Sequence, residues 1–505
     1  MPHHLPSLVG QSIMFRFMGP TFTEADRDIF NRIRPGGVLY FGDNLTSFTQ
    51  IQELSAQLQE AAREEGLPPL FIAADQEGGI VTRFPVDMVT VASAMAVGPL
   101  PDEIIRANAR ITARQLLAVG INMNFAPTID INSNPLNPVI RTRSFGENAE
   151  IVSRAGIVTM QGFLDEGVIP TVKHFPGHGN THIDSHHGLP EIDASLEELH
   201  AVELAPFKAA IAAGVPGVMS AHIRFPVLDD LPATLSKRIL TELLREELGF
   251  EGVIYTDSMT MDAIARGWGI GEASILAKEA GVDVLESSEA PQGLAERHAA
   301  LVAAVESGRL NAHLFETTAA RLGALRRRFR IGDEGGASVD LPALRNDAIQ
   351  IARKTIRTAS DGAVPHVPDT ASTAVIQFAR LRNLEIVDRF DLPTVLVDAI
   401  HEQLPAATII TLSSEPTDDE IGQAIAAVGD AETAVICTRD AIQHTYQAEI
   451  GRRILDAAHP GATKIHVNLR GPYDIGLLGD VDETIFTFGD AVVSLRALAM
   501  ALSGQ

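Results

Sequence analysis

Short apolar runs rich in β-branched residues alternate, through the first part of the chain, with longer stretches of helical period, the pattern of repeated βα units. Eight such runs occur before residue 290: Ser12–Phe17, Gly37–Phe41, Leu70–Ala74, Asn122–Ala126, Ile169–Lys173, Gly217–Ala221, Gly252–Thr256 and Gly281–Leu285. Helix signals fall between them. Ser195 and Glu198 have the spacing of a capping box, and Gly120, Gly167 and Gly214 stand where helices close before the next strand. Eight units in this length predict a (β/α)8 barrel. A doubly wound sheet would need fewer strands and a phosphate-binding glycine loop, and neither Gly177-His178-Gly179 nor Gly267-Trp268-Gly269-Ile270-Gly271 completes one.

A last barrel-type helix is expected around Thr317–Arg328, followed by a Gly-rich acidic connector at 331–340 and a helix over Leu344–Thr358. From Thr373 a second alternation begins, with strand-like TAVIQFA, ATIITLSS, TAVICTRD, TKIHVNL and TIFTFGD, and it closes on a helix at Val492–Leu502. The expected organisation is a catalytic barrel over 1–335, a linker with a helix over 336–370, and a smaller α/β sandwich domain over 371–505.

The 505 residues carry 40 Lys and Arg against 65 Asp and Glu, a net charge of −25. A field of that sign repels phosphate backbones and anionic lipid, so nucleic acid is not an expected partner. The single cysteine, Cys437, excludes an intramolecular disulfide and dithiol redox chemistry. No membrane-spanning segment and no secretory leader is readable, which makes the cytoplasm the default compartment. No motif asks for a cofactor.

In a (β/α)8 barrel the chemistry sits at the carboxyl ends of the strands. Those positions are polar here: Asp75-Gln76-Glu77 and Arg83 after the third run, Asn124 and Asp130 with the loop NPLNPVIRTRSFG after the fourth, then Lys173-His174, His222, Asp257 and Glu286. A lone strand-end carboxylate often only caps a helix. A ring of buried charge with no function would carry a large desolvation cost.

The segment KHFPGHGNTHIDSHHGLP, 173–190, holds five histidines beside Asp184. Imidazole and carboxylate suit zinc or iron, but the first strand, SIMFRFM, lacks the H-x-H that opens barrel metal sites, so no metal is assigned. The alternative takes Asp184 and His186 as a dyad whose imidazole gives and takes a proton near neutrality. His178, His182 and His187 then hold the loop's shape. Asp257, rigid at the end of its strand, suits a nucleophile attacking a sugar C1. Lys173 and Arg143 are candidate donors to sugar hydroxyls or to Asp257, and Asp75 a candidate acceptor.

Four motifs, DQEGGIVTRF (75–84), NFAPTIDINSNPLNPVIRTRSFG (124–146), KHFPGHGNTHIDSHHGLP (173–190) and GVIYTDSM (252–259), resemble the family 3 glycoside hydrolases, in the two-domain form of their β-N-acetylglucosaminidase branch associated with peptidoglycan recycling. The resemblance implies Asp257 as catalytic nucleophile and His186 with Asp184 as acid/base dyad. It implies that Asp75, Arg83, Arg143, Lys173 and His174 bind the terminal N-acetylglucosamine. Ile80, Arg141 and Ser258 depart from the family's commoner residues.

The implied activity is an exo-acting, retaining β-N-acetylglucosaminidase acting on a small carbohydrate such as a muropeptide. A neutral imidazole repels anions less than a carboxylate does, so a phosphorylase using phosphate in place of water stands as the alternative. A silent carbohydrate-binding barrel is the third reading. Oligomeric state is not legible.

Overall fold

The computed structural model describes residues 5–184, 188–332, 338–370, 372–379 and 394–505. Seven parallel strands, Met14–Phe15, Gly37–Tyr40, Phe71–Ala74, Met123–Asn124, Ile169–Phe175, Gly217–Ser220 and Val253–Thr256, lie side by side in chain order. Residues 284 and 285 fill the eighth place. Val284 N donates to Ile254 O and Leu285 N to Ser12 O, while Met14 N returns a bond to Leu285 O, so the sheet closes on itself. The eighth run forms only these bridges, and all eight predicted runs sit in the barrel wall.

Side-chain parity divides the wall into two apolar layers. Met14, Leu39, Phe71, Met123, Met219 and Val284 pack inside the barrel, closed from below by Leu322 and Leu325 of the helix His313–Phe329. Their neighbours Phe15, Val38, Ile72, Val218 and Leu285 pack outward against the helices. Continuing the inward parity to the strand ends places Arg16, Asp75, Lys173, Asp257 and Glu286 in one layer at the barrel mouth.

The second unit is a six-stranded sheet in the order Arg357–Thr358, Glu483–Phe486, Thr463–Asn468, Thr433–Thr438, Thr373–Phe378, Thr408–Leu412. Its last five strands are parallel, and Arg357–Thr358 joins the edge antiparallel. Val375, Val435 and Ile465 pack on one face against the helices Val395–Gln403 and Val492–Leu502. Ala374, Ile376 and Ile436 pack on the other against Asp418–Gly429 and Thr445–Asp456. The helix expected to run to Thr358 ends at Arg353. Beyond it Thr355-Ile356-Arg357-Thr358, with three β-branched residues in four, turns into the edge strand.

Phe486, Phe488 and Val493 of the second unit belong to the same apolar cluster as the barrel helices. Polar ties cross beside it: Asn132 Nδ2 donates to Tyr473 Oη at 2.7 Å, Arg141 pairs with Asp440 and Gln443, and Ser93 Oγ donates to Phe488 O. The second unit therefore sits beside the barrel mouth, against the loop that carries Arg143.

Candidate functional site

The loop after the third strand is set by a glycine turn. Gly78 and Gly79 have φ of 94° and 60°, and a Cβ on Gly79 would lie 2.5 Å from Ser93 Cβ, so only glycine fits. Gln76 is clamped in both directions by Asn124, N to Oδ1 at 2.9 Å and Nδ2 to O at 2.9 Å, which fixes its neighbours Asp75 and Glu77. Asn124 is thus a backbone clamp.

Glu77 is the hub of the cations. Arg143 grips it with two parallel bonds, Nε to Oε2 at 2.9 Å and Nη2 to Oε1 at 2.8 Å, and Lys173 Nζ lies 2.7 Å from Oε1. Lys173 Nζ also lies 2.6 Å from Asp75 Oδ1, and Arg83 Nη2 lies 3.7 Å from Oδ2. Burial alone pushes the Glu77 carboxyl up, but Arg143 and Lys173 outweigh it and hold the group far below the carboxylate range. Lys173 responds in kind: burial lowers it, Asp75 and Glu77 raise it further, and it stays charged.

His174 is oriented from behind. Its Nδ1 lies 2.7 Å from Asp130 Oδ2, and since the carboxylate accepts, Nδ1 carries the proton. Nε2 then faces the site, 3.4 Å from Arg143 Nη2 and 4.0 Å from Asp257 Oδ2. Asp130 is buried, which raises its pKa, but His174 reverses the shift and keeps it below its ordinary value. Asp130 Oδ1 also accepts from the His178 backbone N–H at 2.8 Å, so one carboxylate ties the end of the fifth strand to the histidine loop.

Asp257 follows the strand Val253–Thr256, its backbone N–H bonded to Ser220 O and its Oδ1 accepting from Ser258 N at 2.7 Å. Its side chain keeps 22% of its surface open, against 3% for Lys173 and 5% for Glu77. A carboxylate held at a strand end by Ser258 N and open on one side has the geometry a nucleophile needs.

The structure thus brings together Asp75, Arg83, Arg143, Lys173, His174 and Asp257. Asp184 lies half-buried on the loop, while its expected dyad partner His186, with Ser185 and His187, lies outside the described residues. His178 is a buried neutral group, pushed down to about 4 by burial, its Nδ1 3.0 Å from Thr181 Oγ1. His182 Nδ1 lies 3.1 Å from Asn134 Nδ2, and His222 is bonded to Thr234 and the Ser258 carbonyl. All three hold local structure. Among the described residues no group of three or more His, Cys, Asp or Glu is placed to hold a metal ion.

Two contributors carry no role in the sequence reading. Glu77 shares the DQEGG motif with Asp75, but its partner Arg143 is 66 residues away in sequence. Asp130 was visible as a strand-end acid, and only its geometry shows that it orients His174.

Residues 8–325 match the glycosyl hydrolase family 3 N-terminal domain. The chain is 31% identical to Beta-hexosaminidase A of Pseudoalteromonas piscicida, over 91% of this chain and 83% of that protein. It is 37% identical to a Beta-hexosaminidase of Neisseria meningitidis, over 50% of this chain and 70% of that one. Its structure is similar to that of a glycoside hydrolase family 3 β-N-acetylglucosaminidase from Paenibacillus sp., with a TM-score of 0.91 and 35% identity over 99% of this chain and 97% of that one.

Proposed function

The chain belongs to glycosyl hydrolase family 3, and from that premise we propose that it releases terminal N-acetylglucosamine from β-linked glycosides with retention of configuration. The observation that carries this reading is Asp257, a partly open carboxylate at a strand end facing the Nε2 of a histidine fixed by Asp130. The names of the relatives, a β-hexosaminidase and a β-N-acetylglucosaminidase, support the sugar.

In the proposed mechanism Asp257 attacks the anomeric carbon while His186, charged and oriented by Asp184, protonates the leaving oxygen. The C1–O bond breaks as the glycosyl–Asp257 ester forms. His186 then takes a proton from water, which displaces Asp257 and restores the carboxylate. Asp75 and Lys173 offer an acceptor and a donor to the sugar hydroxyls. Arg83 and His174 stand beside them as further polar contacts, and Arg143 is braced against Glu77 so that its direction is fixed. We assign muropeptide fragments as the natural substrate class.

Asp257→Ala is expected to abolish turnover of a chromogenic N-acetylglucosaminide, and His186→Ala to slow it severely. Near-normal rates in both variants overturn the assignment. Turnover with and without phosphate separates the two fates of the ester: sugar 1-phosphate as the main product replaces hydrolysis by phosphorolysis.

A further inference from the structure

We propose that Glu286 contacts the bound sugar directly, its carboxyl group meeting a hydroxyl of the ring held against Asp257. The inference rests on the reading that the sugar lies against Asp257, and it adds a contact from the eighth strand, which supplies none of the residues assigned above.

Glu286 follows Val284, which packs inside the barrel, and Leu285, which packs outside, so strand parity turns its side chain inward at the mouth. Its backbone is fastened to the nucleophile's own loop. Glu286 N donates to Thr256 Oγ1 at 2.8 Å and Met259 N donates to Glu286 O at 3.1 Å, one residue before Asp257 and two after it. The residue is 3% exposed, and its Oε1 is buried without a hydrogen-bond partner. A buried polar atom left unpaired in a rigid wall is a vacancy for a ligand's hydrogen bond.

The surroundings decide which form of the carboxyl waits there. Asp257 and Asp75 face it from the seventh and third strands, Arg16 from the first, and Glu289 and Arg297 from the segment that follows it. Arg297 is largely spent on Glu289 and Ser287, and Arg16 on Asp43. Burial, then the charges of Asp257 and Asp75, raise the Glu286 pKa well above the ordinary value. A neutral carboxylic acid both donates and accepts, as a sugar hydroxyl does, and places no second negative charge beside the attacking carboxylate.

The test compares Glu286→Gln, which keeps a neutral donor and acceptor, with Glu286→Leu, which keeps bulk alone, on a chromogenic N-acetylglucosaminide. Glu286→Leu is expected to raise KM by about tenfold, with a smaller change in kcat and no loss of thermal stability, because no bond within the protein is broken. Glu286→Gln, which keeps a donor and an acceptor, is expected to hold KM within about twofold of native. An unchanged KM in Glu286→Leu, or a KM in Glu286→Gln as high as that of Glu286→Leu, overturns the inference. If Asp257→Ala is inactive while Glu286→Leu is normal, only this inference falls; an active Asp257→Ala removes the reading beneath it.

Discussion

At the carboxyl ends of its barrel strands the protein gathers Asp75, Glu77, Lys173, Arg143 and Asp257, and at the carboxyl ends of its second sheet it gathers Arg439, Asp440, Arg470 and Asp490. Both sets are largely covered and both are mixed in sign. In the second sheet each carboxylate is held between two guanidiniums: Asp490 between Arg439 and Arg470, Asp440 between Arg470 and the barrel's Arg141. Those side chains keep between 2% and 8% of their surface. In the barrel mouth Glu77 is equally closed, but Asp75 and Asp257 keep 17% and 22%, and Glu286 has an oxygen with no partner. Charge at strand ends therefore does not make a site. What distinguishes the mouth is carboxylate left open, at Asp75, Asp257 and the unpartnered Oε1 of Glu286, where Asp440 and Asp490 are each paired twice.

The sharpest way to break this comparison is to remove one carboxylate from each region. Asp257→Ala is expected to lower kcat by at least about 10³-fold, because the proposed nucleophile has no substitute, while the melting temperature holds or rises. Asp490→Ala is expected to do the reverse. It leaves Arg439 and Arg470 buried beside a missing partner, so urea denaturation should show a loss of about 3 kcal/mol, with kcat/KM changed by less than about threefold. A stable but inactive Asp490→Ala would mean that the second sheet takes part in the chemistry.

A smaller effect tests whether the regions are alike in what they bury. His178 in the barrel loop and His466 in the second sheet are both pushed down to about 4 by burial. Each is neutral in the folded protein and titrates near 6.5 when unfolded, so the unfolded chain binds the extra proton below that pH. Neither costs stability above pH 6.5, and both withdraw it as pH falls toward 4. His466→Gln is expected to reduce the stability lost between pH 7 and pH 4.5 by roughly 2 kcal/mol relative to the native chain, read by urea denaturation at both pH values. An unaltered acid limb would show that His466 is not a neutral buried group.

How far the sequence foretold the two regions follows the range of the interactions in each. The barrel wall was legible because each strand is a local run: all eight were placed, and the eighth is only two bridged residues because the chain leaves the wall at Glu286. Asp75, Lys173 and Asp257 were legible because each directly follows or ends an apolar run. Glu77's role was not, since DQEGG says nothing of Arg143. The Arg439–Asp490–Arg470–Asp440–Arg141 network was invisible for the same reason, as its links join residues from 20 to 299 positions apart. Asp440 and Arg141 also adopt positive φ, of 59° and 47°, which neither residue type announces. His186 was read from the loop motif, and its placement lies outside the described residues.

The least of the expected effects concerns the seam between the regions. Asn132 belongs to the loop that carries Arg143, and its Nδ2 donates to Tyr473 Oη from the second unit at 2.7 Å. The same asparagine accepts from the Arg141 backbone N–H through Oδ1 at 2.9 Å, so the tyrosine reaches the loop through a residue that shapes it. If the seam only fastens the two units together, Tyr473→Phe costs about 1–2 kcal/mol of stability, the net worth of its hydroxyl's hydrogen bonds to Asn132 and Glu147. The apolar contact of Phe486, Phe488 and Val493 would hold the units in place, and kcat/KM would stay within about twofold of native. If the seam instead holds Arg143 in register with Glu77 and His174, the same substitution raises KM well beyond that, and the second unit becomes part of the sugar site's scaffold. Measured KM in Tyr473→Phe therefore decides whether the closed network beside the barrel is a neighbour of the mouth or its brace.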